Sequence, residues 1–146
     1  MRQEYEVLRR NVFIYAYYKP KRQLTQKEKQ MKEYAKKIIT DISQGKEEVI
    51  TTVVHISEMA NILKYGMPLD QLITIVRGLF MLDNVKITGV TREAYFAATE
   101  LGDDLKLEVN DALAVNVMRL NGIKEIYSFD EDFDQIEGIT RLPIIQ

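Results

Sequence analysis

The alternation of short β-branched or apolar runs with longer helical segments is the sequence feature that most constrains the fold. The clearest case is the run 49–53, Val-Ile-Thr-Thr-Val, because the segment after it carries apolar residues at helical spacing. The same change of period recurs along the chain, with short connections. Strands that alternate with helices indicate parallel pairing. The sequence therefore predicts an α/β fold in which helices cover both faces of a mainly parallel sheet.

Capping residues and helix breakers place the predicted elements along the chain. Thr25 and Glu28 form a capping box that begins a long helix, and Gly45 ends it. Gly102 and the two aspartates after it are predicted to form a loop. The predicted strands are 4–8, 49–53, 85–87, 125–129 and a short segment near Leu142. The other predicted helices are 12–16 with Asn11 as its cap, 55–65, 69–81, a Thr91-capped helix ending at Leu101, and a helix from Glu108 or Asn110 to Leu120.

Length and composition limit the class of protein. A chain of 146 residues is expected to form a single domain, 1–146. No run of 18 apolar residues predicts a membrane span, and the N-terminus lacks the apolar core of a signal peptide, so the cytoplasm is the expected compartment. Cysteine is absent and His55 is the single histidine, which excludes thiolate nucleophiles, cysteine zinc sites and paired-histidine catalysis. Any metal must therefore be held by oxygen ligands, which favours Mg²⁺ or Mn²⁺.

The charge of the chain is unevenly distributed. Residues 1–47 contain 12 Lys or Arg against 6 Asp or Glu, whereas residues 48–146 contain 8 against 16. A basic flank beside an acidic site suits an enzyme that acts on a phosphate backbone. A lysine-rich helix with a solvated face explains the same pattern, and charge alone does not separate the two interpretations.

Three acidic residues are predicted to lie at the carboxyl edge of the sheet, where open α/β sheets collect their sites. Glu58 is placed in the first turn of the helix after the second strand, Asp111 in the first turn of a later helix, and Asp130 directly after the strand 125–129. Taken singly, each has a structural explanation, because acids stabilise first turns and aspartate often begins turns. Together, at three such edges, they favour a cation site.

The single histidine and a group of tyrosines each allow two interpretations. His55 precedes Glu58 by three residues, and we interpret it as a packing or capping residue in preference to a catalytic base. Tyr15, Tyr17 and Tyr18 are able to stack on nucleobases, although an aromatic cluster in a small α/β domain more often forms core.

Four segments together resemble the PIN domain, and within it the VapC-type toxins of prokaryotic toxin–antitoxin pairs. They are Asn-Val-Phe-Ile-Tyr-Ala at 11–16, Ser-Glu at 57–58, Asn-Asp-Ala at 110–112 and Ser-Phe-Asp-Glu-Asp-Phe at 128–133. The resemblance spans nearly the whole chain. It implies a three-layer α/β/α fold and a Mg²⁺- or Mn²⁺-dependent ribonuclease that hydrolyses RNA phosphodiesters.

The resemblance also implies roles for individual residues. Glu58, Asp111 and Asp130 match metal-site acids that serve catalysis, and Asp132 matches a secondary metal-binding acid. Supporting positions are matched by Asn11 and Ser128.

Position 9 departs from the family pattern. The family motif reads Asp-x-Asn-Val, but this chain reads Arg9-Arg10-Asn11-Val12. An arginine offers no lone pair to a cation and stays protonated, so it replaces one expected ligand with a fixed positive charge. Two hypotheses follow. The first is an active ribonuclease; the alternative is a catalytically impaired PIN-like module that binds RNA or an antitoxin.

The resemblance also implies partners. RNA is the expected substrate, a small antitoxin is the expected protein partner, and a homodimer is the expected assembly. Apolar positions on the helices 25–43 and 69–81 would allow such a dimer.

Overall fold

The computed structural model of the protein describes residues 6–8, 10–17 and 22–143, and for residues 6–8, 10 and 11 it describes the backbone alone. The strands in this part of the chain are β1 Glu6–Leu8, β2 Val49–Thr52, β3 Val85–Thr88, β4 Glu125–Tyr127 and β5 Thr140–Leu142. The α-helices are α1 Arg10–Tyr17, α2 Gln26–Ser43, α3 Val53–Leu63, α4 Leu69–Met81, α5 Arg92–Leu105 and α6 Val109–Asn121. A short 3₁₀ helix, Glu131–Gln135, follows β4.

The described strands form one parallel sheet in the order β3-β2-β1-β4-β5. The chain moves outward from β1 to β3 and then returns to the other side of β1 to form β4 and β5. The direction of winding reverses between β1 and β4, and open α/β sheets bind ligands in the crevice beyond the carboxyl ends at such a point. The predicted parallel sheet is confirmed, and its topology marks the edge at which a site is expected.

Helices cover both faces of the sheet, and each face has its own apolar cluster. On one face, α1 to α4 pack over residues that include Val49 and Tyr127. On the other, α5 and α6 pack over Ile126 and Phe133. Ile126 and Tyr127 are neighbours on β4, so their side chains point to opposite faces. The three α/β/α layers predicted from the family resemblance are confirmed.

The described tyrosines of α1 lie in the apolar core. The Tyr15 ring packs edge-on against Phe129 with 5.0 Å between ring centroids, and Tyr17 packs against the same cluster. These contacts agree with the core interpretation of both residues. Tyr18 lies outside the described residues.

Helix ends follow their capping residues. Thr25 and Glu28 form the predicted capping box at the start of α2. Gly122 ends α6 with a positive φ of 64°, a conformation that glycine adopts without a steric penalty. Within the described part of the chain, no helix combines the length and the apolar content that crossing a membrane requires.

Several predicted boundaries were wrong. The second strand ends at Thr52 because the Thr52 hydroxyl accepts a hydrogen bond from the His55 N–H and so caps a helix that begins at Val53. Asn11 is the second residue of α1 and not its cap. The strand that was predicted to reach Phe129 ends at Tyr127.

The predicted loop at Gly102 was also wrong, because α5 continues through this glycine to Leu105. A Cβ on Gly102 would lie 2.8 Å from the carbonyl oxygen of Leu107 and 3.6 Å from the Cβ of Ala112. The glycine therefore serves close packing between the end of α5 and the start of α6, and does not break the helix.

Candidate metal centre

Asp111 lies in the first turn of α6, which leads into β4. Because α6 returns the chain to the amino end of the sheet, it runs against the strands and begins at their carboxyl edge. Glu108 caps this helix, and its carboxylate accepts hydrogen bonds from the backbone N–H groups of Asn110 at 3.0 Å and Asp111 at 3.4 Å. Asp111 itself is only 5% exposed. The positive end of the helix dipole favours a carboxylate at this position.

Asp130 and Asp132 lie in the turn directly after β4, and local hydrogen bonds fix the turn. The buried Ser128 hydroxyl accepts a bond from the Asp130 N–H at 3.0 Å. The Asp130 carboxylate in turn accepts a bond from the Asp132 N–H at 2.9 Å and caps the 3₁₀ helix. The sequence Ser-Phe-Asp-Glu-Asp therefore folds locally into a turn that presents two carboxylates.

The structure brings three of the predicted acids together. One carboxylate oxygen from each of Asp111, Asp130 and Asp132 lies within 4.8 Å of the other two. We call these three residues the carboxylate group. Among the described residues, they are the acidic side chains that lie close enough together to hold a metal ion. Opposite ligands of Mg²⁺ are about 4.2 Å apart, so small rotations let all three reach one cation. An all-oxygen donor set also matches the chemistry of Mg²⁺ or Mn²⁺. These residues can therefore hold a divalent metal ion.

The carboxylates affect one another's ionisation. The negative charge of the neighbouring Asp130 raises the pKa of Asp132 above its usual value. Nearby, Arg141 on β5 binds both oxygens of Asp134, at 2.9 and 3.0 Å, and this hydrogen-bonded pairing lowers the pKa of Asp134. The carboxylate group thus concentrates negative charge that a bound cation would neutralise.

The remaining predicted site residues are not members of this group or lie outside the described residues. Glu58 is partly buried in the second turn of α3, not the first, because α3 begins at Val53, and it is not a member of the carboxylate group. The backbone of Asn11 lies in α1, but its side chain is outside the description. Arg9 directly follows β1 in the chain, and it also lies outside the described residues.

Three side chains that contact Asn110, the residue before Asp111, were not predicted as part of the site. Besides the Glu108 cap, the buried His55 ring bonds the Asn110 carbonyl oxygen through Nε2 at 2.9 Å. The Tyr95 hydroxyl donates to the Asn110 side-chain oxygen at 2.6 Å. The sequence signals Glu108 as a helix cap, but the His55 and Tyr95 contacts depend on tertiary packing.

The fold and the carboxylate group together define a class: parallel α/β proteins with a cluster of acids at the switch point that can hold a divalent cation. Within this class, the family model of the PIN domain matches residues 8–139. The chain therefore belongs to the PIN domain family, and the predicted resemblance is confirmed.

Two solved structures show the same fold at low sequence identity. The Mycobacterium tuberculosis toxin VapC20, described as cleaving the sarcin–ricin loop, superposes with a TM-score of 0.63 at 18% identity, over 88% of this chain and 92% of that one. A toxin–antitoxin complex from Klebsiella pneumoniae superposes with a TM-score of 0.62 at 14% identity, over 92% and 95% of the two chains. No curated protein matches the chain at a significant level.

Proposed function

We propose that this chain is a Mg²⁺- or Mn²⁺-dependent endoribonuclease of the VapC toxin kind. The observation that carries the proposal is the carboxylate group, which lies at the switch point of a PIN fold with its oxygens within 4.8 Å of one another. The structural likeness to a sarcin–ricin-loop-cleaving toxin supports RNA as the substrate class. Cytoplasmic location follows from that substrate.

The proposal assigns a separate role to each residue of the site. Asp111, Asp130 and Asp132 hold the cation, and Ser128 keeps the Asp130 backbone in place through its hydroxyl. A bound cation supplies an activated water and stabilises the charge that develops on the phosphate. Glu58 is proposed as a further metal-site and catalytic acid, since it follows His55 by one turn of α3 and His55 contacts the start of α6.

The basic N-terminal part of the chain supports a polyanionic substrate. Lys27, near the start of the lysine-rich α2, lies 3.8 Å from the Glu131 carboxylate in the 3₁₀ helix after Asp130. The basic helix therefore begins beside the acidic turn. Lys27 is also largely exposed, as are Lys29 and Lys36. Cations in this position favour an approaching phosphate backbone.

The second candidate function is a PIN-like module that binds RNA or an antitoxin without cutting. The observation that favours it is Arg9, which stands where the family pattern has a metal-binding aspartate. In this alternative Arg9 pairs with the acids in place of the cation. Asn11, the other residue of that motif, would then have no metal-supporting role.

Partners are proposed on two grounds. The likeness to a toxin–antitoxin complex supports a small antitoxin as the protein partner. A homodimer is supported by α4, which exposes Leu69, Ile73 and Phe80 on one face. By contrast, α2 exposes no large apolar side chain, so the prediction that it also offers a dimer surface has less support.

The test is cleavage of a short labelled RNA by the purified chain in Mn²⁺ and in EDTA, beside Asp111→Asn and Arg9→Asp. We expect the chain to cut in Mn²⁺, and the EDTA and Asp111→Asn samples to lose at least about 100-fold in rate. Glu137→Gln, an exposed substitution outside the carboxylate group, is the matched control.

Each other outcome has a defined meaning. Cleavage by Arg9→Asp alone would establish the fold and site but assign this chain to the binding module. Cleavage that persists in Asp111→Asn would refute the proposed site. No cleavage and no Mn²⁺ binding by either chain would refute the metal-dependent function.

A further inference from the structure

We propose that His55, Tyr95 and Glu108 are positioning residues that hold Asn110, and through it the Asp111 carboxylate, in place. We call these three side chains together with Asn110 the Asn110 clamp. The inference rests on the proposed metal-dependent function, because it assigns these residues a task at that site.

The clamp holds Asn110 by three different groups. Glu108 accepts the Asn110 backbone N–H at 3.0 Å, His55 bonds the Asn110 carbonyl oxygen at 2.9 Å, and Tyr95 bonds the side-chain oxygen at 2.6 Å. The backbone groups on both sides of the Asn110 Cα are therefore fixed. Because the Asp111 N–H also bonds Glu108, this arrangement fixes the backbone of Asp111 and the direction of its Cα–Cβ bond.

The Asn110 carbonyl oxygen defines the hydrogen on one ring nitrogen of His55. A carbonyl oxygen only accepts, so Nε2 carries the proton that is donated to Asn110. Nδ1 lies 3.0 Å from the Thr52 hydroxyl, which can donate to it. The ring is 2% exposed, and the neutral tautomer satisfies both nitrogens. This ring thus links the end of β2 to the start of α6.

The His55–Asn110 bond also joins the two layers of helices. His55 belongs to α3, which packs on one face of the sheet, and Asn110 belongs to α6, which packs on the other. The bond passes the carboxyl edge of the sheet, where the carboxylate group lies. It therefore fixes the position of Asp111 relative to the opposite layer, which contains Glu58.

The test uses the full chain with His55→Leu, His55→Gln and Tyr95→Phe. Leucine removes both ring bonds, whereas the glutamine amide restores a donor close to the Nε2 position. Tyr95→Phe removes the hydrogen bond from the Tyr95 hydroxyl to Asn110 at a partly exposed ring. This variant still tests the proposal if His55→Leu fails to fold. Tyr65→Phe, at a highly exposed tyrosine after α3, is the control.

Two readouts are measured. The first is Mn²⁺ affinity by calorimetry, for which we expect roughly a 10–100-fold loss in His55→Leu and a smaller loss in Tyr95→Phe. In His55→Gln and Tyr65→Phe we expect affinity within about threefold of the parent. The second is amide hydrogen exchange without cation, for which we expect at least about tenfold faster exchange at Asp111 and Ala112 in His55→Leu. The amide of Met118, late in α6, is expected to stay unchanged.

The two readouts separate the clamp from the metal function. Unchanged exchange at Asp111 and Ala112, or equal acceleration along all of α6, would overturn the clamp. Faster local exchange with parental Mn²⁺ affinity would also overturn it, because Asp111 would then need no positioning. If the parent chain binds no Mn²⁺, the proposed function fails, and the exchange data in both His55→Leu and Tyr95→Phe still decide whether the clamp holds Asn110.

Discussion

At the scale of single residues, the carboxylate group places like charges close together, and these charges repel one another unless a cation is bound. Asp111 gains from the helix dipole and the Ser128 hydroxyl organises the Asp130 backbone, but Asp132 is exposed and faces the charge of Asp130. Its raised pKa means that the folded chain binds this proton more tightly than the unfolded chain. Stability therefore falls as pH rises from the ordinary pKa of 3.8 through the raised pKa of Asp132. The ionised group then costs stability at neutral pH.

We predict that Asp132→Asn raises the melting temperature of the cation-free protein at neutral pH. The substitution removes one repulsive charge, while the hydrogen bond to the Asp130 carboxylate comes from the backbone N–H of residue 132 and remains. Thermal unfolding in EDTA and in Mn²⁺ measures the effect, with Glu137→Gln as control. Mn²⁺ is expected to stabilise the parent more than the variant. A variant that melts below the parent in EDTA would contradict this account.

At the scale of elements, the junction of α5 and α6 depends on Gly102. We predict that Gly102→Ala destabilises the protein by about 1–3 kcal/mol, because its Cβ would meet the backbone oxygen of Leu107 at 2.8 Å and backbone does not yield easily. Gly78→Ala is the matched control: it lies within α4 with open space around its Cβ, so alanine is expected to stabilise by about 0.5–1 kcal/mol. Urea unfolding of both variants measures the difference, and equal effects would refute this explanation.

The start of α2 has its own pH dependence. The Arg22 guanidinium and the Thr25 N–H hydrogen-bond Glu28 and lower its pKa from 4.5 to about 2. A lowered folded pKa gives stability that is present above 4.5 and is lost as pH falls from 4.5 towards 2.

We therefore predict that Glu28→Gln flattens the fall in melting temperature over this acidic range and leaves the capping geometry intact, since glutamine also serves in a capping box. Melting curves measured across the range test this. Asp134 also has a lowered pKa, but it is present in both proteins and cancels in the comparison. Identical slopes for the parent and the variant would count against the Arg22 contact in solution.

The sequence was sufficient to predict helix bounds where capping groups and helix breakers close by in the chain determine them. The bounds of α4 and the Thr25 cap of α2 agree with the prediction because breakers and capping groups act within a few residues. It was insufficient at Gly102, where packing against Leu107 replaces the usual helix-breaking role of glycine. The sequence also placed Asp111 and Asp130 correctly at one edge of the sheet. It did not predict the side chains that hold Asn110, because those contacts join segments that are distant in the sequence.

At the scale of the whole molecule, α4 leaves a row of apolar side chains uncovered. Leu69 is 70% exposed, Ile73 40% and Phe80 57%, and their spacing places them on one face. Exposed apolar patches of this kind usually mark an interface.

We predict that the parent chain is a dimer and that Ile73→Glu or Phe80→Glu shifts it to the 17.0 kDa monomer, because a buried unpaired charge opposes association. Light scattering during size-exclusion chromatography measures the mass. Lys36→Glu, an exposed substitution on α2, is the control and is expected to leave the dimer intact. A parent that elutes as a monomer would refute the dimer, and a dimer unaffected by both α4 substitutions would place the interface elsewhere.

The strand order has a consequence for synthesis on the ribosome. β1 lies in the middle of the sheet but is made first, and its neighbour β4 is made about 120 residues later. All three members of the carboxylate group lie in the last quarter of the chain. Under the proposed function, a nascent chain that stalls before residue 111 would therefore lack all three acids that hold the cation. The order of the elements along the chain therefore delays assembly of the carboxylate group until the polypeptide is almost finished.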